Sequence, residues 1–169
     1  MNVSNPECIT YKVNGCISLD TNIDHFALTE IDHYGNIVGT EIIPFKWKRW
    51  KTNQRKHDLR ECAVQIVERC IQTNKPLVIE DLDFEDKKND MEYEDEKQNE
   101  KLSNFAYSKI KEILERRAVY KGVECIKVDP AYTSKIGRSK YMKLKGLSVH
   151  MAASYVIGRR GLGFKDKLN

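Results

Sequence analysis

No apolar run in this sequence approaches the roughly 18 residues that a membrane-spanning helix needs. The opening stretch MNVSNPECITYKVNG has neither the charged start nor the apolar middle of a secretory signal. A soluble cytoplasmic protein with no membrane partner is therefore expected. The five cysteines, Cys8, Cys16, Cys62, Cys70 and Cys125, contain no C-x-x-C pair, so a zinc ribbon, and zinc as a cofactor, are not expected. Cys62 and Cys70 are eight residues apart on an expected helix, two turns distant and too far for a disulfide. Free thiols in a reducing compartment fit this pattern. Internal repeats are also absent.

What is present suits one core. The 169 residues, 40% of them hydrophobic, are enough for a single domain over 1–169. Net charge is +4, but residues 83–101 hold 9 acidic and 4 basic groups, so the remainder carries +9. The body is basic around one acidic insertion, expected to be mobile, and a polyanionic partner suits it.

Three strands are expected in CISLDTN, HFALTEID and IVGTEIIPF, with HYGN as a turn, which makes a meander. A helix follows from about Gln54 to Asn74, with Leu59, Ala63, Ile66, Val67 and Cys70 at helical spacing. KPLVIEDLDF reads as a strand buried on both faces, and a second helix runs to about Ala118 before a fifth strand in VECIKVDP. TSKIGRSKYMKLKG leads to a last helix, with Ser148 as its start cap and Gly161 at its end. This order predicts an α/β fold: a five-stranded mixed sheet, three antiparallel strands followed by two parallel ones, flanked by helices.

In such a sheet neighbouring parallel strands bring their ends together. Here those ends carry Asp20 and Glu80, which together offer the oxygen ligands that Mg2+ or Mn2+ takes, with water and phosphate completing the sphere. Each is also readable as a strand-end carboxylate meeting solvent, where such residues normally lie. A register error of one residue would put the two on opposite faces.

Four segments, ISLDTN, LVIEDLDF, VDPAYTSKIG and HMAASYVIGRRGLGF, in this order, resemble the RuvC-like (RNase H-like) nuclease domain of TnpB-type transposon-encoded proteins. These are also called OrfB or accessory transposases and are relatives of type V CRISPR effectors. The resemblance runs from about Cys16 to Phe164. It implies an RNase H-like fold, cleavage of DNA with divalent metal, and a guide RNA and other transposon-encoded proteins as partners. It also assigns the first acidic residue to Asp20 and the second to Glu80. The third Asp of the relatives, just ahead of two alanines, has no match in Ser148-Val149-His150-Met151-Ala152-Ala153. His150 is the candidate replacement, either as a ligand or as a packed, hydrogen-bonded residue. Asp81, Asp83 and Asp129 are other candidates for the third carboxylate, although Asp129 precedes Pro130 and can simply shape a turn. The zinc ribbon and the N-terminal RNA-recognition domain of the relatives have no counterpart in these 169 residues.

Two basic clusters bear on nucleic-acid binding. KWKRWKTNQRKH sets Lys46, Lys48, Arg49, Lys51 and Arg55 around Trp47 and Trp50, either as cations for phosphates with aromatics for bases or as a solvated linker packed on the first helix. Lys135, Arg138, Lys140, Lys143 and Lys145, with Arg159 and Arg160, form the second; the last two also suit a helix C-terminus. Two functional expectations result: a metal-dependent endonuclease on DNA, or a catalytically inactive module that binds DNA, RNA or a partner.

Overall fold

The computed structural model describes residues 7–46, 52–81 and 104–168. Trp47, Lys48, Arg49, Trp50, Lys51, Asp83 and the acidic insertion lie outside the described residues. Strands β1 (Cys16–Thr21), β2 (His25–Ile31) and β3 (Ile37–Pro44) form the antiparallel meander, and β4 (Leu77–Glu80) and β5 (Cys125–Val128) add in parallel, in the order β3-β2-β1-β4-β5. The sheet is the expected one. Helix α1 (Thr52–Thr73) leads from β3 to β4, and α2 (Asn104–Tyr120) precedes β5.

Alternation along the strands divides the core. Ile17 and Leu19 of β1, Phe26 and Leu28 of β2, and Leu77 and Ile79 of β4 pack under α1 and α2, whose buried residues Leu59, Ala63, Ile66, Val67, Ile110 and Leu114 follow the helical period. On the opposite face, Cys16, Ile31, Val78 and Val128 meet the C-terminal helix. That helix, α5 (Val149–Gly161), starts where Ser148 Oγ accepts a hydrogen bond from the Met151 amide, as its sequence suggests.

Between β5 and α5 the basic stretch is itself helical. It winds as α3 (Thr133–Ile136), a π-helical turn over Gly137–Tyr141, and α4 (Met142–Lys145). Gly137 lets this segment lie close against α5, because a Cβ there would sit 2.7 Å from the Ala152 carbonyl carbon. The stretch before β1 ties down the far end of the sheet: Ile9 N–H donates to the Gly122 carbonyl, and Thr10 Oγ1 accepts from the Glu124 amide. No helix among the described residues is long and apolar enough to cross a membrane.

Candidate active site

Strands β1 and β4 pair with Ile17 opposite Leu77 and Ser18 opposite Val78. Continued by two residues, that register sets Asp20 level with Glu80. Ile17, Leu19, Leu77 and Ile79 face α1 and α2, so with a period of two the side chains of Ser18, Asp20, Val78 and Glu80 belong to the α5 face. Both carboxylates therefore emerge on one side of the sheet, at the C-terminal ends of adjacent parallel strands.

Helix α5 is locked to β1 by matched steps. Four helical residues rise about 6 Å, and two strand residues advance about 6.6 Å, so an i, i+4 stripe on the helix keeps pace with an i, i+2 stripe on an antiparallel strand. The stripe His150, Ser154 and Gly158 runs along Asp20, Ser18 and Cys16. Cys16 Sγ donates to the Gly158 carbonyl at 3.5 Å. Ser18 Oγ donates to the Ser154 carbonyl at 2.7 Å, and Ser154 Oγ donates to the Ser18 carbonyl at 3.0 Å. Both serines are fully buried. The next step places His150 Nδ1 at 3.1 Å from Asp20 Oδ2.

A carboxylate only accepts hydrogen bonds, so His150 carries its proton on Nδ1. The hydrogen bond to Asp20 raises the imidazole pKa above its ordinary 6.5; partial burial and nearby Arg138 pull the other way, while the charge of Asp24 adds to the rise. The π-helical turn starts at Gly137, which packs on the Ala152 backbone two residues along α5 from His150. Asp20 Oδ2 accepts a second hydrogen bond, from Asn22 Nδ2 at 3.0 Å, while Oδ1 takes none from a described residue. Glu80 is held from two sides: its Oε1 accepts from Thr133 Oγ1 at 2.7 Å, and the buried Tyr107 hydroxyl donates to its carbonyl at 2.8 Å. Burial first, then the charges of Glu80 and Asp20, push the Tyr107 phenol well above its usual range.

Two of the other candidate carboxylates have partners of their own. Asp81 pairs with Lys111 Nζ at 2.7 Å, and Asp129 accepts from the Ala131 amide at 2.9 Å, shaping its own turn. Among the described residues, no three His, Cys, Asp or Glu side chains gather closely enough to form a complete metal-binding cluster. Lys135, Arg138, Lys143 and Lys145 are exposed along the winding segment and Lys140 is half-buried; Lys135 also stacks 5.5 Å from the Tyr132 ring centroid. Near β3, the Lys46 amide donates to Asp58, and Arg55 is half-buried at the start of α1.

Arg159 and Arg160 have local partners. Arg159 binds Asp166 at 2.8 Å and the Gly35 carbonyl at 3.1 Å and packs 4.6 Å from the Phe164 ring centroid. Arg160 donates to the carbonyls of Asp129 and Ala131. Sequence reasoning missed Asn22, His25 and Thr133. Asn22 and His25 sit in a tight turn, and Thr133 reaches Glu80 across 53 residues of chain, so hydrophobic periodicity carries no trace of them.

A scan against protein-family models finds no match, and no curated protein matches either. Solved structures do. Thermus thermophilus RuvC in complex with a Holliday junction substrate superposes with a TM-score of 0.60 at 12% identity, over 85% of this chain and 89% of that one. Another T. thermophilus RuvC structure gives 0.57 at 13% identity, over 85% and 90%. The chain therefore has the α/β fold of RuvC, an RNase H-like architecture.

Proposed function

We propose that this chain is a RuvC-like nuclease domain that hydrolyses DNA phosphodiester bonds with Mg2+ or Mn2+. The observation that carries the proposal is the emergence of Asp20 and Glu80 on one face, with His150 fixed beside Asp20. The donor chemistry fits such an ion: two carboxylates supply hard oxygen ligands, and no described residue donates to Asp20 Oδ1. Asp20 and Glu80 would hold the metal, which when bound would activate water and stabilise a leaving oxygen. His150 is oriented through Nδ1, so its Nε2 is the ring atom available as a third ligand or to take a proton from an attacking water. The exposed cations of the 133–145 segment would hold phosphates next to these groups.

The solved neighbour is bound to a four-way DNA junction, and the match spans most of both chains. Branched DNA is accordingly the substrate class we favour. The order of sequence motifs supports a second reading, a TnpB-related transposase-type domain that meets RNA or other transposon-encoded proteins. Cleavage assays on labelled four-way junction, linear duplex and single-stranded DNA, with Mg2+ and with Mn2+, test these readings. Junction cleavage lost in Asp20→Asn and Glu80→Gln supports the proposal. Salt-sensitive binding without cleavage under either metal would instead make the chain an inactive binding module.

A further inference from the structure

The turn between β1 and β2 carries polar side chains that the proposed reaction does not use. Because Asp20 accepts only, the Asn22 amide must turn Nδ2 toward Asp20 Oδ2, 3.0 Å away. The same Nδ2 lies 3.2 Å from His25 Nε2. An amide nitrogen has only hydrogens to offer, so Nε2 must receive one and carry none itself. The ring proton of His25 is then on Nδ1, which donates to Asp24 Oδ1 at 2.6 Å. The His25 side chain is mostly buried and its ring packs edge-on against His150 at 5.0 Å, whereas Asp24 is exposed. The Asn22 amide nitrogen on the backbone also donates to the His25 carbonyl at 2.9 Å, which closes the turn around this line of groups.

Building on the reading of Asp20 as a metal-holding carboxylate, we propose that Asn22 is a positioning residue for Asp20, itself locked by His25 in its Nδ1–H tautomer. Asn22 and His150 together anchor Oδ2 from two sides, so the carboxylate cannot rotate and Oδ1 remains presented to the cation. Without Asn22 the carboxylate has one anchor and swings about the His150 hydrogen bond. Asp24 acts one step further out, by selecting the His25 tautomer. Partners of this kind, which orient a ligand without touching the metal, typically change metal affinity tenfold to a hundredfold when removed.

The test has two readouts. Imidazole 15N chemical shifts of the wild-type protein should show His25 protonated at Nδ1 and bare at Nε2; the opposite tautomer overturns the inference without any variant. Mn2+ titration should then show Asn22→Ala and His25→Leu weakened by roughly tenfold or more. His25→Gln, whose amide oxygen can accept in place of Nε2, should stay within less than tenfold of wild type. Wild-type Mn2+ affinity in folded Asn22→Ala, alongside lost affinity in Asp20→Asn, refutes the positioning role and leaves the site intact. Unchanged affinity in Asp20→Asn itself refutes the underlying reading of the site.

Discussion

Replacing Gly158 with alanine tests whether α5 is held to β1 as tightly as the stripe of contacts requires. Two effects oppose each other. Alanine in a helix interior gains about 1 kcal/mol over glycine. Against this, the new Cβ would lie 2.3 Å from Ile31 Cδ1, 2.6 Å from Ser18 Oγ and 2.9 Å from Ser18 Cβ. Ile31 and Ser18 are fully buried, so neither has room to move, and overpacking of this kind costs about 1–3 kcal/mol. Displacing Ser18 also disturbs its hydrogen bond to the Ser154 carbonyl, which contributes about 1 kcal/mol. The net expectation is a loss of about 2 kcal/mol, equivalent to about 4–8 °C in Tm for a chain of this size. Urea unfolding should show a lowered midpoint with an unchanged slope. Gly39→Ala, where a Cβ would meet nothing within 4 Å, serves as the control and should not be destabilised. A Gly158→Ala protein as stable as the wild type would refute the close packing of helix on strand.

Three other outcomes follow from named contacts. His150 has a folded pKa above 6.5 because of Asp20, so its stabilising contribution is present below the unfolded pKa and is lost as pH rises through the folded one. The ring is nearly half exposed, so the effect is modest; unfolding free energy measured against pH should show it in the wild type and not in Asp20→Asn. The Lys75–Glu30 pair, 2.8 Å apart and largely buried, should make Lys75→Met costly by about 3 kcal/mol because Glu30 is left uncompensated. Adding Glu30→Gln should recover much of that loss in urea unfolding. For the basic residues, Lys143→Ala should lower the salt slope of DNA binding by about 1, while Arg159→Ala should lower stability and leave the slope unchanged, since its guanidinium is already held by Asp166 and Gly35.

The fold was legible because apolar spacing and turn residues both report backbone conformation. The short apolar segments CISLDT and HFALTEI with the HYGN turn, and the helical spacing in α1, place those elements within two residues of their observed ends. The common face of Asp20 and Glu80 depended on register, which pairing of Ile17 with Leu77 supplies. The seam beneath the site was harder to read. Ser18 and Ser154 are polar residues in apolar settings, and their reciprocal hydrogen bonds help explain why they are buried there. Arg159 looked like a surface cation in a last helical turn; its pairing with Asp166 and contact with Phe164 depend on how the chain returns after Gly161. Composition revealed the basic character of the 133–145 segment but not that a π-helical turn starting at Gly137 packs it on α5 at Ala152.

Mn2+ binding followed by the electron paramagnetic resonance of the free ion is the most direct test of the central claim that Asp20 and Glu80 jointly hold a divalent cation. The wild type should bind Mn2+, with affinity falling at least about tenfold in both Asp20→Asn and Glu80→Gln while both variants remain folded. Equal Mn2+ binding by the wild type and both variants, or no binding by the wild type, would contradict it.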